Sequence, residues 1–241
     1  MRNGRAYPKG YRYIPIESQI STLSNLFGVD DRPALGYSKN TGRPPSDGLF
    51  AVLRSGAFSP SSHHFAEIYQ NVCKSVAREI GVKVLGTSIS SFIRFAHTRN
   101  TLEEIAEIQN GSDILIISAQ LGLERCGQSV DYARKDCSIS RRGEFCLGTL
   151  ELLSIAITHP HRFSDNEGLG VDCAGDSADK HGFPASPVLR PLGNGDLVLS
   201  SCFSDGTSDI YGVPTGFFSP AAQRSVELKR KGRLPKLAFA V

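Results

Sequence analysis

NTLEEIAEIQNGSDILIIS, residues 100–118, contains the transition that decides the fold class. Thr101 and Glu104 have the spacing of a capping box, in which two side chains satisfy the free backbone amides at a helix start. Gly111 supplies a stop. The branched ILII run within Asp113–Ser118 has the length and side-chain shape of a buried strand. Upstream, Phe65, Ile68, Tyr69, Val72, Cys73, Val76 and Ile80 recur at helical spacing, with Ser62 placed to cap and Gly81 to stop. Ile68, Val72 and Val76 are therefore expected on one buried face. Ser18–Phe27 reads as another helix, and the proline- and glycine-rich stretch Asp30–Ser46 as an irregular loop.

Downstream, Gly148–Thr158 reads as a helix ended by Pro160, because proline disfavours helical geometry in the residue before it. Leu169–Cys173 and Leu197–Phe203 read as strands, with Gly193-Asn194-Gly195 turning into the second. Helices come early and strands late, which predicts an α+β fold. A helix-rich N-terminal half should pack on a mixed or antiparallel sheet supplied mainly by the C-terminal half. The corresponding domain plan is a basic arm and irregular segment (1–61), an α+β core (62–223) and a basic tail (224–241). No internal repeat points to a solenoid or propeller.

The 241 residues are 40% hydrophobic and 21% charged, the balance of a globular chain able to bury a core. No apolar run approaches the roughly 18 residues needed to cross a bilayer, and the N-terminus lacks a signal peptide's apolar stretch. These features predict a soluble, cytoplasmic protein with no membrane partner. Six scattered cysteines without a Cys-x-x-Cys pair argue against a zinc ribbon and read mainly as buried hydrophobes.

The net charge of +3 is unevenly spread. Residues 1–13 carry +4 and residues 224–236 carry +5, leaving the remainder at −6. Arg2, Arg5, Lys9 and Arg12 alternate with Tyr7, Tyr11 and Tyr13, setting cations for phosphates beside rings that can stack on bases. Lys229, Arg230, Lys231 and Arg233 add a second basic run. Such ends suit RNA, a ribonucleoprotein or an acidic protein surface; they could equally be solvated tails or fold back on the acidic body.

Groups able to ligate a metal or move a proton are densest in THPHRFSDNEGLGVDCAGDSADKH, residues 158–181. His159, His161, Asp165 and Asp172 form a candidate divalent-metal site for zinc, iron or manganese, although their spacing matches no named motif. Without a metal, His159, Asp172 and Cys173 are candidate catalytic residues, with Cys173 as nucleophile and His159 as base. Strand alternation should send Asp172 and Cys173 to opposite faces. Asp172, Asp176 and Asp179 around Gly175 lack calcium-loop spacing and read more simply as a turn. Phosphate-loop, dinucleotide and serine-hydrolase signatures are not visible.

Four blocks carry a family resemblance: AQLGLERCGQSVDYAR (119–134), GEFCLGTLELLSIAITHP (143–160), LGVDCAGD (169–176) and YGVPTGF (211–217). Together they make the C-terminal half similar to a bacterial family of hypothetical proteins. The resemblance implies an order of motifs and no activity. Its members are more basic in the first block, where this chain has Glu124, Gln128 and Asp131, so no phosphate-binding role carries over there. Two functions are thus expected in competition. One is a binding protein using its basic ends, and the other a hydrolytic enzyme using the His159–Asp176 region with or without a metal.

Overall fold

The structure is a computed structural model that describes residues 7–8, 10–38, 47–58, 65–139, 143–164 and 168–217. The expected α+β class is what it shows, with helices concentrated in the first half and strands in the second. The helices are α1 (Ile16–Phe27), α2 (Arg32–Ser38), α3 (Phe65–Glu79), α4 (Ala96–Ile108), α5 (Val130–Ile139) and α6 (Thr149–Thr158). The strands are β1 (Gly48–Leu53), β2 (Lys83–Val84), β3 (Ile93–Arg94), β4 (Ile114–Gln120), β5 (Glu144–Cys146), β6 (Gly170–Asp172), β7 (Asp176–Lys180), β8 (Phe183–Pro191), β9 (Leu197–Phe203), β10 (Tyr211–Gly212) and β11 (Thr215–Phe217).

Two sheets form. The first is antiparallel, in the order β1-β4-β11-β5. The second is mixed: β10-β6-β8-β7-β3, with β9 pairing both β8 and β2. Helix α6 lies between these layers and packs on β1, α3 and α1. Nine of its ten residues are buried, including the polar Glu151 and Ser154. Ser154 Oγ satisfies one edge of β1 by accepting the Leu53 N–H at 3.1 Å. Val72 and Val76 are buried as their spacing requires, and Ile68 packs half-buried against the same core.

Three sequence expectations need correction. The residues Arg32–Ser38, read as loop, form a helix whose buried Ala34 joins the main core. The boundary at residue 61 does not separate an arm from the core, because Ile20, Leu23 and Phe50–Leu53 are buried in the cluster that also holds Val72 and Leu153. Helix α4 begins at Ala96, not at Thr101; Thr101 lies mid-helix on the buried face with Thr98, Leu102 and Ile105. Its stop is as expected. Gly111 adopts φ +71° and returns its N–H to the Ala106 carbonyl. Ser62 lies outside the described residues.

Candidate functional site

The polar segment 158–181 is dispersed by the fold. His159 is buried beside Phe50, and both of its ring nitrogens are engaged. Nε2 accepts the Ile14 N–H at 3.2 Å, leaving Nδ1 to donate to Thr158 Oγ1 at 2.9 Å. Burial pushes its pKa down to about 4. The unfolded chain therefore takes up this proton first, and the stability His159 contributes is lost as pH falls from about 6.5 towards 4. His161 is exposed on a 3₁₀ turn, Pro160–Phe163. Asp165 lies outside the described residues. Among those residues no group of three or more His, Cys, Asp or Glu side chains converges to hold a metal ion.

Cys173 is fully buried in the main core with Val171, and burial raises its thiol well above the usual range. Asp172, between them, faces the other side of β6. His159, Asp172 and Cys173 thus occupy separate environments. Asp172 itself is unusual: it is buried and has its pKa pushed up to about 7 by desolvation, which Arg134 only partly offsets. A raised folded-state pKa costs nothing below about pH 4, where both states hold the proton, and stability falls as pH rises through 7. Asp172→Asn is expected to stabilise the protein by about 2 kcal/mol at pH 8 and to change little at pH 4. Urea titrations at the two pH values measure this; equal effects at both would remove the buried carboxylate as the cause.

The basic N-terminal end partly folds back on the body. The Tyr7 hydroxyl donates to Asp47, which also accepts the Leu121 N–H at 2.8 Å. The Tyr7 and Tyr11 rings lie 4.9 Å apart, and Tyr11 lies 6.1 Å from His159. Burial lifts the Tyr11 hydroxyl pKa to about 12. Tyr11 is thus a foot of this strap, with its ring already occupied, while Arg12 beside it is exposed. Beneath the strap, buried Arg162 spans the Leu169 and Leu121 carbonyls and sits 5.0 Å from the Tyr7 ring. Arg2, Arg5, Lys9, Lys229, Arg230, Lys231 and Arg233 lie outside the described residues.

The polar groups that do converge were not expected from the sequence. Arg94, at the end of β3, forms two hydrogen bonds with Glu151, at 2.8 and 2.7 Å, and one with Asp176 at 3.2 Å. Its guanidinium also lies 4.2 Å from the Tyr69 ring and donates to the Tyr69 hydroxyl at 2.6 Å. The two carboxylates cap α6: Glu151 accepts the Gly148 N–H and Asp176 the Thr149 N–H. Anions at a helix N-terminus satisfy free amides and oppose the helix dipole. Asp176 is thus a buried keystone and not a turn residue.

The glycines of the family-like blocks make these approaches feasible. A Cβ at Gly175 would lie 2.6 Å from Gly148 N, and one at Gly212 would lie 2.2 Å from Gly122 O. The motifs therefore mark where backbone crosses backbone.

One cleft remains open beside this scaffold. It encloses about 320 Å³ between the start of α4 and the outer turns of α5, with Cys146 and Ala174 as its floor. Phe95, Cys137, Cys146 and Ala174 make it apolar, while Arg134 and Lys135 give it a positive wall. The Cys137 and Cys146 sulfurs are 3.7 Å apart. Sequence reasoning missed both the helix and the pair. Val130, Ala133 and Cys137 share the buried face of α5, and Ser129 Oγ accepts the Tyr132 N–H at its start, a start signature that could have been read. Compared with protein-family models, curated proteins and solved structures, the chain finds no match.

Proposed function

We propose that the protein is a cytoplasmic binding protein whose basic ends engage an acidic macromolecule, RNA or a ribonucleoprotein before any other. The observation that carries this reading is the charge separation, +4 and +5 at the ends against −6 for the remainder. Six free thiols suit a reducing compartment. Arg12 is held exposed by a strap whose tyrosines are packed on the body. The competing hydrolase, with or without a metal, draws less support, since His159 spends both ring nitrogens on Ile14 and Thr158 while Cys173 lies in the core. Among the described residues no helix is long and apolar enough to cross a membrane.

Replacing Arg2, Arg5, Lys9 and Arg12 by Gln, together with Lys229, Arg230, Lys231 and Arg233, keeps the Tyr7 and Tyr11 anchors and removes the charge. Binding of a mixed-sequence RNA is expected to weaken steeply with salt for the natural chain, because each neutralised phosphate releases a condensed counterion. The charge-neutralised variant should show a slope of log K against log salt shallower by about 0.7 to 0.9 for each phosphate it no longer neutralises. Equal, weak binding by both proteins would sink the reading.

A further inference from the structure

The thiol pair in the cleft has no place in a reading based on the termini. Cys137 and Cys146 are held by two elements braced against each other. Arg125 ties α5 to β5 through Asp136, at 2.7 Å, and a two-pronged contact with Glu144, at 3.0 and 2.9 Å. The Cys146 carbonyl is fixed by Thr98 Oγ at 3.0 Å. Two sulfurs brought into van der Waals contact on rigid supports need to close by less than about 2 Å to reach disulfide length. Both cysteines are buried but line the cleft, which is the route by which a small molecule would reach them, and no carboxylate lines it among the described residues. Lys135 is exposed on its wall, so an anion entering would be favoured.

We propose that the cleft is a thiol–disulfide exchange site that takes an anionic low-molecular-weight disulfide. One thiol loses its proton to solvent and its sulfur attacks the incoming disulfide. A new sulfur–sulfur bond forms, and half of the ligand departs as a thiolate that takes up a proton. The second protein thiol, also losing its proton, then attacks the protein sulfur of this mixed disulfide and expels the other half as thiol. The cysteine pair is oxidised by two electrons and the external disulfide is reduced to two thiols. The 3.7 Å contact lets whichever sulfur opens the exchange be resolved by its neighbour.

The test uses the full-length reduced protein with glutathione disulfide, whose carboxylates match the positive wall. After acid quenching and alkylation under denaturing conditions, the oxidised protein should carry two fewer alkyl groups than the reduced control, and peptide mapping should recover a Cys137–Cys146 cross-link. Cys137→Ser should instead accumulate one glutathione on Cys146. Lys135→Glu, a surface change, should slow cross-linking by about fivefold with glutathione disulfide through loss of electrostatic attraction. The same variant should match the natural chain with uncharged hydroxyethyl disulfide. A pair that stays reduced in the folded protein while the half-buried Cys126 and Cys202 are modified would overturn the site. Equal Lys135→Glu rates with the anionic reagent would overturn the ligand class.

Discussion

Arg94→Ala should lower the stability of the protein by about 4 kcal/mol, because removing one partner of a buried ion network strands the others. Glu151 and Asp176 would keep their amide hydrogen bonds at the α6 N-terminus but lose the cation between them. The helix dipole offsets only a fraction of one charge. The measurement is the urea midpoint at neutral pH, with the slope unchanged from the natural chain. A combined Arg94→Met, Glu151→Gln, Asp176→Asn protein should recover part of the loss, since it removes both buried acids along with the cation. A loss under about 1 kcal/mol in Arg94→Ala would mean that solvent reaches the network.

Gly175→Ala should be the next most damaging of these substitutions, costing about 3 kcal/mol from a single added methyl group. That methyl would lie 2.6 Å from Gly148 N, 2.7 Å from the Cys146 carbonyl oxygen and 2.8 Å from the Leu147 carbonyl carbon. All three are backbone atoms, so no side chain can swing aside. The Gly175 N–H also donates to the Leu147 carbonyl at 2.8 Å, and this bond would open as the chains separate. Thermal unfolding compared with Gly182→Ala, where nothing lies within 4 Å and only the positive φ is strained, separates the clash from backbone preference. Similar losses at both positions would remove the close approach as the cause.

The elements that were legible are those whose evidence is local. The branched run Ile114–Ile117 is buried along its whole length, and Leu197–Phe203 is a strand to the residue. Helix α3 announces itself because Tyr69, Val72, Cys73 and Val76 face one core. Helix α4 was misplaced because its true start follows Phe95, an extended residue that makes no side-chain cap, while Thr101 and Glu104 imitate one. Strand β1, GLFAVL, was overlooked beside a proline-rich stretch although six short residues suffice for a strand.

The site was harder to read for a different reason. A density of polar residues says that a segment has hydrogen-bonding capacity, not where that capacity is spent. Asp176 spends its capacity on Tyr69, Arg94 and the α6 N-terminus, residues far apart in the chain. Arg94 carried no sequence pattern that marked it as their common partner. Cys137 and Cys146 meet only because α5 docks beside β5, a tertiary event that the nine-residue spacing does not encode.

Strand β11 is inserted between β4 and β5, pairing Gly216 with Ala119 on one side and with Phe145 on the other. As residues 114–146 leave the ribosome, the two strands that flank this slot are present but have nothing to hold them together. The slot stays vacant until residues 215–217 have also emerged, roughly 70 residues and several seconds of synthesis later. During that interval β4 exposes an unpaired edge at Ser118–Gln120, a state open to association with other chains. Closure of the first sheet is therefore a late, long-range event, and folding should be slow for a chain of this size. A holding chaperone acting on the nascent chain would find its target in that edge.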